Sequence, residues 1–237
     1  MMRQIQHFFL DADLSAPSVH ITEKNLLHQM KDVLRFRKGD TCVLLDNRGG
    51  KAKAVLEEFH SKEAMFRIEA RERVTAPKRA LRLYVALSKK PSTFEWIVEK
   101  ASEMGVTELI PLETERTQVH ELRKNDRLLA IMKEAAEQCE RNHLPHLHGL
   151  LSFKDLLMNF PKGTSLVGDA WDYDGPLAAL LPSNAEDVNL FIGPEGGLSS
   201  EELSALRAKD ARVFLLGETV LRMETAVIAA LALVQYR

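Results

Sequence analysis

At 237 residues the chain has room for one large domain or two modest ones, each able to bury its own core. A hydrophobic content of 45% and a charged content of 28% are those of an ordinary water-soluble protein. No apolar run reaches membrane-spanning length, and the start of the chain lacks the apolar stretch of a signal peptide. Cys42 and Cys139 lie far apart and fit a reducing cytoplasm better than a disulfide scaffold. The net charge of -2 hides an asymmetry. Residues 1–80 hold 15 Lys/Arg against 11 Asp/Glu, a net of +4, and residues 81–237 hold 17 against 23, a net of -6. That distribution points to a polyanionic partner met by the N-terminal part.

Residues 1–75 are β-rich. The spacing predicts a short helix over residues 23–33 with Leu26, Leu27, Met30 and Val33 on one side. Thr41-Cys42-Val43-Leu44-Leu45 reads as a strand, Asp46-Asn47-Arg48-Gly49-Gly50 as a turn, and residues 51–56 as the returning strand. A third strand follows at 64–70, completing the inventory of a small barrel. Val74-Thr75-Ala76-Pro77-Lys78-Arg79 reads as a linker.

From residue 81 strands and helices alternate, as in a parallel sheet with crossover helices. Strands are predicted at 81–87, 108–112 and 165–168. Helices are predicted at 93–104, stopped by Gly105, and at 126–142 behind a capping Asn125. Two strand–loop–helix units close the chain. Val188-Asn189-Leu190-Phe191-Ile192 leads into Gly193-Pro194-Glu195-Gly196-Gly197-Leu198 and then Ser199-Ser200-Glu201-Glu202, a capping box that pairs Ser199 with Glu202. Val213-Phe214-Leu215-Leu216-Gly217 leads into residues 218–224 and then a helix over 225–236 with no polar face, which has to be enclosed or to form a subunit contact.

Loops that leave the C-terminal ends of parallel strands are where α/β folds build ligand sites. The glycine loop lacks the Lys-Ser/Thr of a phosphate cradle and the spacing of a dinucleotide fingerprint. Glu195 inside it disfavours phosphates and suits a cofactor without them. The same glycines could also serve a tight turn alone, and Arg222 could be a structural clamp paired with Glu224 or Glu218.

Together, Ile192-Gly193-Pro194-Glu195-Gly196-Gly197-Leu198-Ser199 and the pattern Leu216-Gly217-x-x-Val220-Leu221-Arg222-x-Glu224-Thr225-Ala226 closely resemble the ribosomal RNA small subunit methyltransferase E family. Those SPOUT-class enzymes methylate N3 of a uridine in 16S ribosomal RNA. Residues 99–106, Glu115-Arg116 and Glu137-Gln138-Cys139-x-Arg141-Asn142 agree with the same family. Departures fall at Thr219, Met223 and Glu140, where the family commonly has Arg, Thr and Gly.

The resemblance implies an α/β fold with a C-terminal SPOUT trefoil-knotted parallel-sheet domain (76–237) and a small N-terminal PUA-like β-barrel (1–75). S-adenosylmethionine would lie against Gly193, Glu195, Gly196, Gly197, Leu216, Gly217, Leu221 and Thr225. Arg222 would hold the uridine oxygens, and Glu224 would act as base or fix Arg222. The partners implied are 16S ribosomal RNA or the small subunit, and a second copy of the chain, with no membrane and no metal. RNA contacts would come from Arg3, His7, Arg35, Arg37 and Lys38, with Arg116 and Arg141 from the family stretches; Lys24, Arg48, Lys51 and Lys53 are further candidates. Two other readings remain: a SPOUT methyltransferase with another RNA target, or a non-catalytic RNA-binding assembly factor. Cys139, His143, His146 and His148 have a spacing that matches no common zinc pattern.

Overall fold

In the computed structural model, which describes residues 5–182 and 186–236, the chain divides into two units. One comprises Met1–Ala76 with Ala136–Leu144, the other Pro77–Ala135 with Pro145–Arg237. The first boundary falls inside the Pro77 linker. The return of residues 136–144 to the first unit has no signature in the sequence.

The first unit is a five-stranded sheet. Its elements are β1 (Gln6–Phe9), β2 (Ser18–Ile21), α1 (Lys24–His28, continued by a π-helical turn Gln29–Val33), β3 (Thr41–Leu45), β4 (Gly50–Phe59) and β5 (Ala64–Arg73). The order is β1-β3-β4-β5-β2, with β1 parallel to β3 and the other pairs antiparallel. The turn signalled by Asp46 forms because its Oδ1 accepts the backbone N–H of Arg48 at 2.7 Å and of Gly50 at 2.8 Å. Alternate residues of the strands, with Leu26, Leu27 and Met30 of the helix, make one core. Val33 is 66% exposed, against the expectation that put it on the core side. The π-helical turn has i→i+5 bonding, so Val33 no longer follows Met30 at α-helical spacing. The segment 136–144 is fixed by Phe9, whose backbone N–H donates to Glu137 Oε1 at 2.8 Å, and by a small cluster of Phe9, Leu45, Ala136, Val43 and Leu144.

The second unit contains β6 (Leu81–Ala86), α2 (Pro91–Glu103), β7 (Glu108–Glu113), α3 (Asn125–Gln138), β8 (His146–Leu147), β9 (Leu151–Ser152), α4 (Phe153–Met158), β10 (Thr164–Gly168), β11 (Gly175–Pro176), α5 (Leu177–Leu180), β12 (Val188–Ile192), α6 (Ser200–Arg207), β13 (Arg212–Leu215) and α7 (Met223–Gln235). Every strand pair is parallel, in the order β11-β13-β10-β12-β6-β7-β8, with β9 also on β7. All five residues of β12 are buried, as expected of a central strand covered on both faces. Leu81, Leu83, Val85, Val188, Leu190 and Ile192 share a core with α2 and α7. Tyr84 and Phe191 stack at 4.4 Å on the opposite face, where α4 and α6 pack. Helix α3 ends at Gln138, four residues before the predicted end. Glu140 adopts a left-handed φ of 60°, and Arg141 N–H returns to Ala136 O at 2.9 Å, so the helix terminates in a C-terminal cap there. Among the described residues no helix is long and apolar enough to cross a membrane.

Candidate functional site

The C-terminal ends of β6, β7, β10, β12 and β13 converge on one cavity of about 800 Å³, a size suited to a small-molecule ligand. The loop after β12 forms one wall. Gly193 packs tightly there: a Cβ would approach Leu198 Cγ to 3.1 Å and Leu198 N to 3.3 Å. Gly197 closes a turn by donating to Pro194 O at 2.8 Å with φ +70°, a conformation glycine adopts without cost. The loop is held from three sides. Ser88 Oγ donates to Glu195 Oε1 at 2.9 Å, and Arg116 Nη1 donates to Gly196 O at 2.8 Å and Leu198 O at 3.3 Å. Buried Glu202 accepts Ser199 N–H at 2.9 Å and Glu115 N–H at 2.8 Å, so the capping box read from the sequence also ties α6 to the loop after β7. Thr114 and Thr117, both buried and joined at 2.9 Å, shape the turn that presents Arg116.

The loop after β13 supplies Leu216, Thr219, Val220, Leu221 and Arg222 to the cavity, followed by Met223 and Glu224 of α7. Arg222 is extended (φ -65°, ψ 154°) immediately before the helix. Its side chain is exposed, and among the described residues neither it nor Glu224 takes part in an ion pair or a side-chain hydrogen bond. The clamp to Glu224 or Glu218 is therefore not formed. A guanidinium and a carboxylate thus stand separately on the cavity, the first exposed and the second half-buried, both open to a ligand.

Of the residues expected to hold a cofactor, Gly193, Glu195, Gly196, Gly197, Leu216 and Leu221 line the cavity, whereas Gly217 and Thr225 do not. Both expected catalytic residues, Arg222 and Glu224, line it. Sequence reasoning passed over Lys89 and Lys90 after β6, Gln118 after β7, and Asp169 and Trp171 after β10, which line it too. The strand-end rule that singled out the last two loops applies equally to these three. None of the three carries a glycine cluster like that of residues 193–197.

The expected RNA contacts separate by environment. Arg35, Arg37 and Lys38 are exposed, while Phe36 between them packs edge-on against Phe8 at 5.9 Å and Phe66 at 6.5 Å. His7 is half-buried with Nδ1 enclosed and without a partner; burial foremost, with Lys51 nearby, holds its pKa below the usual histidine value. A neutral imidazole is a weak phosphate ligand. Arg116 is exposed and bonds the glycine loop through Nη1, and Arg141 is half-buried in the 136–144 segment, where burial lowers its pKa. Arg3 lies outside the described residues. The four residues of the Cys/His cluster have separate partners: Cys139 Sγ meets Ala136 O, His143 meets Thr75 O, His148 meets Glu108, and His146 packs on the His148 ring.

Residues 75–235 match the model of the RNA methyltransferase domain family. The chain is 30% identical to the ribosomal RNA small subunit methyltransferase E of Bacillus subtilis, over 94% of this chain and 91% of that one. It is 34% identical to that of Synechocystis, over 87% and 69%. Among solved structures, a Legionella pneumophila protein in complex with S-adenosylmethionine superposes with a TM-score of 0.85 at 26% identity, covering 98% of both chains. A ribosomal RNA small subunit methyltransferase E from Neisseria gonorrhoeae, bound to S-adenosylmethionine, superposes with a TM-score of 0.86 at 24% identity, over 97% of this chain and 96% of that one.

Proposed function

Because the chain belongs to the ribosomal RNA small subunit methyltransferase E family of RNA methyltransferase domains, we propose that it methylates N3 of a uridine in 16S ribosomal RNA, in the cytoplasm, using S-adenosylmethionine. The observation that carries this reading is the cavity itself. It joins a braced glycine loop, an apolar wall and an unpaired Arg222–Glu224 couple at the ends of parallel strands.

The donor set fits the cofactor. The loop after β12 has no lysine to meet phosphate, while Ile192, Leu198, Leu216 and Leu221 offer apolar surface, and Glu195, Asp169 and Glu224 offer carboxylates to a cationic group. When bound, S-adenosylmethionine supplies an electrophilic methyl on sulfonium. Gly193, Gly196 and Gly197 allow close backbone approach, with Leu216 and Leu221 across from them as apolar contacts. Gly217 and Thr225 act by shaping the loop after β13 and the first turn of α7.

Uridine N3 is a poor nucleophile while protonated, because its lone pair is spread into both carbonyls. Arg222 donates hydrogen bonds to O4 or O2 and stabilises the uridinate charge. Glu224, not neutralised by Arg222, accepts the proton from N3. A carboxylate paired to arginine would be a weaker base. Arg35, Arg37 and Lys38, anchored through Phe36, are the proposed phosphate contacts of the first unit. Arg116 then acts by holding the glycine loop, and His7 by packing.

The family reading also carries a trefoil knot and a homodimer. What supports the knot is that β13 inserts between β11 and β10, strands that precede it, before α7 returns to α2 and β12. What supports the dimer is the C-terminal end of α7, where Leu233 is 40% exposed and the C-cap residue Tyr236 71%.

Arg222→Ala tests the site. Turnover on ribosomal RNA should fall by about 100- to 1,000-fold, with cofactor binding by calorimetry and the thermal midpoint retained, because the side chain is exposed and unpaired. Unchanged turnover would remove Arg222 from the chemistry.

A further inference from the structure

Trp171 is 81% exposed, on a loop that has no freedom to bury it. Asp169 Oδ1 accepts the backbone N–H of Trp171 at 2.8 Å and of Asp172 at 2.9 Å. Asp169 N–H donates to Phe214 O at 3.1 Å, and Asp174 pairs with Val213 through its N–H at 2.8 Å and its Oδ2 at 2.7 Å. Arg207 of α6 grips the tip, with Nη1 on Asp172 Oδ2 at 2.7 Å, Nη2 on Asp172 Oδ1 at 2.9 Å and on Asp174 Oδ1 at 3.2 Å. The guanidinium hydrogen bond holds the Asp172 carboxyl below the usual carboxylate range, so this brace is intact at neutral pH. A loop fixed at its base, its tip and its far end keeps one of the protein's two indoles in water, at the rim of the cavity that holds Arg222 and Glu224. Core packing does not account for that placement, and the indole has no ring partner among the described residues.

We infer that Trp171 is a stacking platform for a nucleobase of the substrate strand at the mouth of the site. This rests on the function proposed above. An indole face accepts any base, and pre-fixing it removes the entropy cost of ordering the loop on binding. Lys89 and Lys90, exposed on the same cavity and without ion pairs among the described residues, give the adjoining phosphates a counter-charge. Stacking of this kind favours a base already turned out of its helix, and it adds affinity without choosing the base. Trp171 is therefore a substrate-positioning residue that acts on KM, distinct from Arg222, which acts on turnover.

The protein has two tryptophans, and Trp96 lies on α2 away from the cavity lining. In Trp96→Phe, fluorescence reports Trp171 alone. A single-stranded uridine-containing RNA should quench it and S-adenosylmethionine alone should not. Trp171→Ala should raise KM for ribosomal RNA about 10- to 100-fold, with kcat and cofactor affinity nearly unchanged. Trp171→Phe should restore most of the loss, and Trp171→Leu, apolar but without a π face, should not. RNA binding without quenching, or an unchanged KM in Trp171→Ala, overturns the assignment while leaving the methyltransferase reading intact. Quenching by S-adenosylmethionine alone would place the indole on the cofactor's adenine and also overturn it. A wild-type chain that binds no S-adenosylmethionine overturns the underlying function, and this inference with it.

Discussion

Glu140 holds a left-handed backbone with φ 60°, one of five non-glycine residues in that region among the described residues. The position follows the last turn of α3, where a left-handed residue lets the chain cap the helix, and glycine is the residue that does so without steric cost. Glu140→Gly should therefore raise stability by about 1 kcal/mol, read as a higher denaturation midpoint; a lower midpoint would mean that the glutamate's own contacts outweigh its strain. The sequence singles out Arg222 and Glu224 as charges beside a wholly apolar helix, and both line the cavity. Their relation was not legible there. Whether they pair depends on side-chain directions set by the turn at Leu221–Met223, and sequence spacing does not encode those. Arg116 makes the same point. It reads as a free cation and serves as a brace for the carbonyls of Gly196 and Leu198.

Among the elements, the ones announced by strong local signals formed near their predicted bounds: the Asp46 turn with β3 and β4, and the strands β6, β7, β10 and β12. Those missed are short. β1 and β2 have four residues each, β8, β9 and β11 two each, and all are selected by pairing with a neighbour rather than by a periodic pattern of their own. The connection from β12 to α6 depends on one carboxylate. Glu202 satisfies two backbone N–H groups in two different loops, and it is 6% exposed. Glu202→Ala leaves both donors without their partner and should cost about 2 kcal/mol. Because the glycine loop loses its anchor, cofactor affinity should fall as well. A variant destabilised but with full affinity would separate α6 capping from the site.

At the scale of the molecule, the parallel sheet was legible from alternating strands and helices. The strand order, and the return of residues 136–144 to the first unit, come from contacts distant in sequence and leave no local trace. Helix α7 carries the largest quaternary consequence. Its C-terminal end leaves Leu233 and the C-cap residue Tyr236 exposed, so the protein in solution should have twice the chain mass of 26.7 kDa by sedimentation. A monomer at micromolar concentration would contradict the dimer.

The central claim is that this cavity transfers a methyl group to N3 of a uridine in 16S ribosomal RNA. Purified protein, S-adenosylmethionine and small-subunit RNA from cells lacking the modification suffice to test it, with the digested nucleosides read by mass spectrometry. About one 3-methyluridine per RNA molecule is expected, dependent on the cofactor and lost in Arg222→Ala. RNA that stays unmethylated, or that gains its methyl on a ribose oxygen or another base, would contradict it.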